Sequence, residues 1–343
     1  MRNRIIYILS VLIACSLSSN DILSQCNCPG EHAIVPDSTI RVHASQVGYN
    51  IDKYIDLDIR DGFVIKEGDI IVATVQDFMN KTVASDHGFW TNNTLPYVIG
   101  SGFNSTDIAE IHDAAAHITS NTNLTVKVRT TETQWVAITT GTGCGASIGM
   151  PETGNASISL STNCSLGNTI HEFLHTAGVR HEQVREDRNA FVNINFSNIE
   201  AGAEHNFFLA DTKTNTDYGT YDFGSIMHYG AFFFAIDPNI PTITTIPAGM
   251  PIGQRNGMSA TDIASVNKMY PVCSSSNITV TGNLNGRRTA TADITSTADV
   301  NDKKIGILSS STKVRLLPGA HFKSGSKGMI SHEGCNPDND WEN

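Results

Sequence analysis

The sequence has no excess of basic residues and, after its first fifteen residues, no long apolar run. Lysine and arginine number 23 against 34 aspartates and glutamates, which gives a formal net charge of −11. Because nucleic-acid phosphates are neutralised by clustered Lys and Arg, this balance excludes nucleic acid as the main partner. No later run approaches the ~20 apolar residues that cross a bilayer, so a protein with several membrane spans is also excluded.

The sequence also lacks the biased composition that is typical of disordered and fibrous proteins. Of the 343 residues, 40% are hydrophobic and 17% charged, which is enough apolar material for a sizeable core. At about 150 residues per domain, the length predicts about two folded units with additional segments.

The N-terminus has the order of a secretory signal. Arg2 and Arg4 precede the apolar run 5–14, as in a signal peptide, which we place at residues 1–19. The end of this run, Leu-Ile-Ala-Cys, is similar to the lipobox of bacterial lipoproteins, so a lipid on Cys15 is the alternative. We therefore expect a secreted, extracellular protein or, alternatively, one that is lipid-anchored at the outer cell surface.

Periodic patterns divide the rest of the chain. Alternating stretches at 40–47 and 64–75 come first and show no helical period. The following region predicts three helices, the first capped by Ser105 and burying Ile108, Ile111, Ala115 and Ile118, the second at 168–177, and the third from a Ser259 and Asp262 capping box to Tyr270. It also predicts strands at 124–128, 135–140 and 156–160. From residue 274 the composition turns polar, and 314–330 is similar to small stacked β-modules.

The pattern that carries chemistry lies on the second predicted helix, where residues 171–181 read HEFLHTAGVRH. Because residues i and i+4 share a helix face, His171 and His175 point imidazole nitrogens at one metal ion. Gly178 lets the backbone turn sharply, which brings His181 round as a third ligand. Three neutral imidazoles leave open coordination for water, as in a catalytic zinc site. Zinc lowers the pKa of that water towards ~7, and Glu172 takes its proton as general base.

A second landmark follows in a turn-like context after Gly224. Met227, in the run Ser-Ile-Met-His-Tyr at 225–229, matches the methionine turn that underlies the zinc in metzincins. The region from Trp90 to Cys273 resembles the astacin family of zinc endopeptidases. The residues that carry the resemblance are the zinc motif, Glu182, Arg185, Asp187 and Arg188, then 191–194, 221–229 and 253–255, and finally Ser259, Asp262, Ile263 and Tyr270.

This resemblance implies roles for further residues. Tyr229 is expected to be a zinc ligand that swings away to stabilise the oxyanion of the tetrahedral intermediate. Glu182 is expected to be the buried carboxylate that anchors the mature N-terminus. Met227 and Gly178 are expected to have structural roles at the site.

The resemblance also implies a prosegment that blocks the zinc. The run Glu67-Gly68-Asp69-Ile70 is similar to the aspartate switch of astacin propeptides, in which Asp69 replaces the catalytic water. Lys66 stands where the family usually has phenylalanine. A thiolate from Cys26 or Cys28 is the alternative switch. Maturation is expected between residues 81 and 85.

Six cysteines remain after the signal, and their spacing alone leaves the pairing open. They are Cys26, Cys28, Cys144, Cys164, Cys273 and Cys335. By the resemblance, Cys144 pairs with Cys164 and closes a loop worth ~3 kcal/mol. The family partner of Cys273 is Asn123 here, so Cys273 pairs elsewhere, with Cys335 as one choice, or stays free.

Together these features predict an α+β protein with a two-lobed metzincin-type catalytic domain, a twisted sheet and a zinc-binding helix, followed by a small all-β C-terminal module. The predicted divisions are a signal at 1–19, a propeptide at 20–82, a protease domain at 83–273, and a linker with the β-rich module at 274–343. We expect one Zn²⁺ and protein or peptide substrates held as extended chains along a sheet edge. The alternative is a zinc-stabilised pseudoprotease that acts as a binding or adhesion module. The C-terminal module is a candidate for attachment to a surface.

Overall fold

A computed structural model of the chain describes residues 37–49, 51–79, 88–151, 154–210 and 217–271, together with eight short strands between 278 and 331. The predicted signal, Cys15 and the four cysteines Cys26, Cys28, Cys273 and Cys335 lie outside the described residues. In the part that is described, no helix has the length and apolarity needed to span a membrane.

Nine of the described strands form one mixed sheet. In chain order they are β1 (Ser38–His43), β2 (Tyr54–Arg60), β3 (Phe63–Lys66), β4 (Ile70–Thr74), β5 (Thr94–Ile99), β6 (Thr125–Val128), β7 (Val136–Thr140), β8 (Gly145–Ser147) and β9 (Ala156–Leu160). Their order across the sheet is β1-β2-β3-β4-β8-β9-β7-β5-β6. The three strands expected after residue 120 are confirmed within one residue at their ends. β2 was not expected, although its sequence YIDLDIR alternates apolar and acidic residues.

The first four strands form an antiparallel meander that is added to the edge of the sheet. β4 pairs with β8 in parallel, with Ile70 opposite Ala146 and Ile71 opposite Ser147. The meander has a small core of its own, which includes Val42, Leu57 and Val64. The amino-terminal segment therefore continues the sheet of the following domain.

Four α-helices occur among the described residues: α1 (Val75–Met79), α2 (Ser105–Asn121), α3 (Leu166–Thr176) and α4 (Ala260–Met269). The capping box predicted for α4 is confirmed, since the Ser259 side chain accepts from the Asp262 N–H. The cap predicted for α2 was wrong by one residue. Asn104 is the N-cap, because its side-chain oxygen accepts from both Thr106 N–H and Asp107 N–H. Ile108 is only partly buried, because it lies in the first turn at the margin of the helix's apolar face.

The main core lies where α2 and α3 pack on the sheet, and its centre includes Leu95, Ile118, Ile158 and Phe173. The predicted disulfide between Cys144 and Cys164 is confirmed, with Cα atoms 5.9 Å apart. It joins the residue before β8 to the residue before the N-cap of α3, and so ties this strand to the helix.

The described residues between α3 and α4 form an irregular lower lobe. It contains 3₁₀ turns and one antiparallel pair, β10 (Val192–Ile194) with β11 (Ile243–Thr245). The lobe also touches the meander, because the rings of Tyr49 and Phe208 are 5.7 Å apart.

The strands after residue 277 pair in parallel. They are β12 (Ile278–Val280), β13 (Gly286–Ala290), β14 (Ile294–Ser296), β15 (Asp299–Val300), β16 (Ile305–Ser310), β17 (Val314–Leu316), β18 (His321–Phe322) and β19 (Lys327–Ser331). Three groups form, with orders β12-β14-β17, β13-β16-β19 and β15-β18. Strands about 20 residues apart thus lie side by side, as when Ile294 pairs with Val314.

Candidate metal centre

Helix α3 supplies two of the predicted ligands. Ser165 begins it as N-cap, and its side-chain oxygen accepts from the Asn168 N–H. His171 and His175 lie one turn apart, both are fully buried, and their ring centroids are 4.6 Å apart. The i, i+4 spacing therefore places both imidazoles on one face, as the sequence predicts.

Gly178 ends the helix and redirects the chain. Its φ is +95°, a left-handed conformation that costs glycine little, and a Cβ there would lie 3.3 Å from Met269 Cε. The Val179 N–H returns to the Leu174 carbonyl at 2.9 Å, which closes the helix end. Three residues after the turn, the Nε2 of His181 lies 3.3 Å from the Nε2 of His175.

Each of the three rings is oriented through its Nδ1 atom. His171 donates to the Ile226 carbonyl at 2.9 Å, and His175 donates to the Val179 carbonyl at 2.8 Å. His181 donates to Oε2 of Glu67 at 3.0 Å. Because these oxygens only accept, each Nδ1 carries a hydrogen, and each ring in its neutral form presents the lone pair of Nε2 to the centre.

A carboxylate from the meander completes the cluster. Asp69 Oδ2 lies 3.3 Å from His171 Nε2 and 3.2 Å from His181 Nε2, and Oδ1 lies 3.7 Å from His175 Nε2. One donor atom from each of Asp69, His171, His175 and His181 lies within 4.8 Å of the others, and all four residues are buried. The structure thus brings the predicted switch residue onto the predicted ligands.

This donor set fits a zinc ion. When Nδ1 is the protonated atom of each ring, three Nε2 lone pairs and a carboxylate face one another with no hydrogen between them. Such a group of acceptors needs a cation at its centre. Asp69 Oδ1 is buried and accepts no hydrogen bond from the described residues. Nitrogen and carboxylate donors in a four-membered set are those that zinc prefers.

The electrostatics favour a cation at the same place. Burial lowers the pKa of His171 and of His175. At His181 burial acts in the same direction, but the Asp69 and Glu67 carboxylates outweigh it and raise the pKa to about 9. Although burial alone favours the neutral acid, the three imidazoles hold the pKa of Asp69 well below its usual range. A field that draws a proton to His181 attracts a metal cation as well.

Glu67 is held as firmly as Asp69. It is fully buried, and its Oε1 lies 3.4 Å from Tyr49 Oη and 3.6 Å from Lys66 Nζ. Burial alone would raise its pKa, but the charges of Lys66, His181 and Arg180 lower it to about 2. The surrounding positive charges therefore favour the ionised form of the Glu67 carboxyl, although it is buried.

The predicted methionine turn lies below the cluster. Met227 is buried, and its carbonyl accepts from the Glu182 N–H at 3.1 Å, just after the third histidine. Helix α4 holds this turn through Asp262, whose carboxylate accepts from Ser225 Oγ at 2.6 Å and from the Ile226 N–H at 2.9 Å. Asp262 binds the Ile226 N–H, and the Ile226 carbonyl orients His171. Asp262 therefore supports the position of His171 indirectly, through Ile226.

The remaining predicted site residues lie around this cluster. Glu172 is fully buried on α3 beside His171. Tyr229 is buried, and its hydroxyl donates to the Glu67 backbone carbonyl at 2.5 Å. Glu182 accepts from the Asp222 N–H at 2.7 Å, and burial raises its pKa to about 8 against the opposing charge of Arg185.

Two contacts at the site were not predicted. The sequence identified Glu67 only as part of the switch pattern, and Asp262 only as a capping-box residue that the family shares. The position of Glu67 two residues before Asp69 is a sequence signal for this contact, because both residues lie in the hairpin tip between β3 and β4. Nothing local to Asp262 shows that its carboxylate also holds the methionine turn.

Comparison with known proteins finds a family match that includes the three histidines. Residues 82–271 match the peptidase family described as Astacin. High choriolytic enzyme 1 of Oryzias latipes is 35% identical over 216 residues, which are 60% of this chain and 78% of that protein. Flavastacin of Elizabethkingia meningoseptica is 32% identical over 229 residues, which are 65% of this chain and 49% of that protein. Protein SpAN of Strongylocentrotus purpuratus is 35% identical over 195 residues, which are 53% of this chain and 31% of that protein.

The chain thus spans half or less of the length of two of these three relatives. A solved structure of high choriolytic enzyme 1, described as a hatching enzyme zinc-protease from Oryzias latipes, is 33% identical, with a TM-score of 0.48. The match covers 53% of this chain and 92% of that one. The family match contains the three histidines of the cluster and begins after Asp69.

Proposed function

Because the chain belongs to the astacin family of zinc metalloendopeptidases, we propose that it is an exported endopeptidase made in a latent form, with Glu172 as general base. The observation that carries the proposal is the placement of Asp69 among His171, His175 and His181. A carboxylate there takes the place that the catalytic water needs.

The backbone of the meander supports latency independently. β4 pairs with β8, the strand at which the sheet of the matched domain would otherwise have an edge. An extended peptide substrate adds to such an edge through main-chain hydrogen bonds. The prosegment, proposed as residues 20–82, therefore occupies both the metal site and the peptide-binding edge.

After removal of the prosegment, the chemistry is assigned to residues that are already in place. A zinc ion held by His171, His175 and His181 would supply Lewis acidity for the scissile carbonyl and acidify a water molecule. Glu172 takes the proton of the attacking water and passes it to the leaving amine. Tyr229, freed from the Glu67 carbonyl, donates its hydroxyl hydrogen to the developing oxyanion and is the proposed further ligand in the resting enzyme.

Activation is proposed to follow cleavage between residues 81 and 85. The new N-terminal ammonium then pairs with Glu182. The Glu182 carboxyl supports this assignment because it is largely buried, and burial raises its pKa to about 8. A cation placed beside such a carboxyl stabilises its ionised form. Met227 and Gly178 keep structural roles below the metal.

The proposed substrates are proteins or peptides in extended conformation. Residues 1–19 are proposed to direct export, with lipid attachment at Cys15 as the alternative route to the outer surface. The parallel strands between 278 and 331 support a small all-β module within 274–343, and we propose surface attachment as its role.

Casein cleavage by the purified full chain tests the proposal, before and after removal of the prosegment. Asp69→Asn keeps the shape of the side chain but removes its charge, which weakens the attachment of the hairpin tip to the metal cluster. The prosegment then leaves both the metal and the β8 edge more often, so we expect the uncut variant to cleave casein much faster than the uncut wild type. The matched control is Asp77→Asn, which removes an exposed prosegment carboxylate bonded to Thr74.

A zinc chelator and Glu172→Gln complete the test. The chelator is expected to abolish cleavage by the activated chain, and Glu172→Gln is expected to lower it by about 10²- to 10⁴-fold. Uncut Asp69→Asn protein that stays as silent as the wild type would refute latency through Asp69. Stoichiometric zinc without any cleavage after activation would favour the pseudoprotease alternative.

A further inference from the structure

The three histidines of the cluster differ in the part of the chain that supplies the acceptor for their Nδ1–H group. His171 and His175 donate to backbone carbonyls of Ile226 and Val179, which belong to the matched domain. His181 donates to the side chain of Glu67, which lies 114 residues earlier in the chain. The orientation of the third histidine therefore depends on the prosegment, whereas that of the other two does not.

The Glu67 carboxylate is fixed from several sides. Oε1 faces the Tyr49 hydroxyl at 3.4 Å and Lys66 Nζ at 3.6 Å, while Oε2 faces His181 Nδ1 at 3.0 Å. Lys66 is itself held, because its Nζ donates to the Val47 carbonyl at 2.9 Å. The side chain of Glu67 is therefore directed at the back of the His181 ring by a buried network that lies within the prosegment.

The backbone at Glu67 is specialised as well. Its φ is +50°, a left-handed conformation that is uncommon for a residue with a side chain, and Gly68 continues it at +76°. The Tyr229 hydroxyl donates to the Glu67 carbonyl. This hairpin tip points two carboxylates at one histidine, Glu67 at Nδ1 and Asp69 at Nε2.

A carboxylate behind a ligating imidazole fixes its tautomer and raises the basicity of the nitrogen on the metal side. Removal of such a partner weakens metal binding about 10- to 100-fold. We propose that Glu67 is a positioning residue that holds His181 for zinc in the latent form. The prosegment then acts on the metal centre twice, through Asp69 at the metal and through Glu67 behind the third histidine.

This inference rests on the proposed latent form, and it has a consequence for maturation. Cleavage removes Asp69 and Glu67 together, so the mature enzyme holds zinc with a third histidine that has lost its prosegment partner. The latent chain retains the metal more firmly than the mature enzyme does.

The experiment measures zinc affinity of the uncut full chain by competition with a chromogenic chelator, for wild type and Glu67→Gln. The matched control is Asp61→Asn, which removes another prosegment carboxylate that contacts the catalytic domain. Asp61 Oδ2 accepts from the Thr142 N–H at 2.8 Å and from its hydroxyl at 3.0 Å, without touching the metal cluster. Limited proteolysis reports whether the prosegment stays docked in each variant.

We expect Glu67→Gln to weaken zinc binding about tenfold or more with the prosegment still protected, and Asp61→Asn to leave the affinity unchanged. In the cobalt-substituted chain, we expect the visible absorption bands to shift in Glu67→Gln alone, because only that variant changes the donor strength of His181.

An affinity of Glu67→Gln within twofold of wild type would overturn the inference. So would an equal loss in Asp61→Asn, or a prosegment released by Glu67→Gln, because Glu67 would then hold the prosegment and not the ring. None of these readouts uses the peptidase activity of the chain itself. A wild-type chain that is active before cleavage would refute the proposed latency instead, and the two failures are distinguishable.

Discussion

Asp69 lies 102 residues before His171 in the chain, yet its Oδ2 atom is 3.3 Å from the Nε2 atom of that histidine. The hairpin between β3 and β4 carries Asp69 to this place, and the pairing of β4 with β8 holds the hairpin against the catalytic sheet. One sheet thus contains both the scaffold of the site and the segment that covers it.

Substitution of Gly68 by alanine is expected to loosen the hairpin tip. Gly68 has a φ of +76°, and a Cβ there would lie 3.0 Å from Phe234 Cζ. The left-handed backbone alone costs a residue with a side chain about 1–2 kcal/mol, and the contact adds to this. Because about 1.4 kcal/mol is a tenfold change in an equilibrium, basal casein cleavage by the uncut chain is expected to rise about tenfold.

Gly62→Ala is the matched control for this prediction. Gly62 has a similar φ of +80° in the preceding turn, but a Cβ there would have no described atom within 4 Å. The variant therefore adds backbone strain without a contact at the site. Equal basal activities for the two variants would show that the fit of Gly68 against Phe234 has no part in latency.

Glu172→Gln is expected to lower kcat of the activated chain by about 10²- to 10⁴-fold, the usual contribution of a general base. The zinc content is expected to stay at the wild-type level, because the three histidines keep their contacts. The control is Glu186→Gln, since Glu186 is an exposed carboxylate on the segment that follows the third ligand. Activity of Glu172→Gln within a few-fold of wild type would exclude Glu172 as the base.

Asp262→Ala is expected to destabilise the fold by about 3 kcal/mol, measured by urea unfolding. It removes the reciprocal bond of the α4 capping box, in which Asp262 accepts from the Ser259 N–H, and the buried bonds from Ser225 and Ile226, each worth about 1 kcal/mol. Asp107→Ala removes the corresponding residue of the α2 capping box alone, so about 1 kcal/mol or less is expected there. Similar losses in the two variants would mean that Asp262 does not support the methionine turn.

Replacement of both Cys144 and Cys164 by alanine is expected to lower the free energy of unfolding by about 3 kcal/mol. The bridge joins residues separated by 20 positions, and a loop of that length loses about this much chain entropy in the unfolded state. Urea unfolding of the double variant and of the oxidised wild type checks this value. Coincident unfolding curves would contradict it.

Much of the site was predictable because its signals are local. The i, i+4 spacing of His171 and His175, the glycine that follows, and the capping residue Ser259 each act within one or two turns of backbone. Strand alternation likewise predicted β6, β7 and β9. The α2 cap was misplaced by one residue because Asn104 and Ser105 are both good caps, and local preference does not separate them.

The sequence by itself determined the three histidines of the cluster, the turn after the helix and the likeness to a zinc protease family, since these depend on residue type and short spacing. Only the tertiary structure decided that Glu67 lies behind His181, that Asp262 holds the methionine turn, and that β4 covers the edge at β8. The physical reason is that such contacts join residues that are far apart in the chain. Sheet register and packing decide which distant residues meet, and the local periodicity of the sequence does not predict either of them.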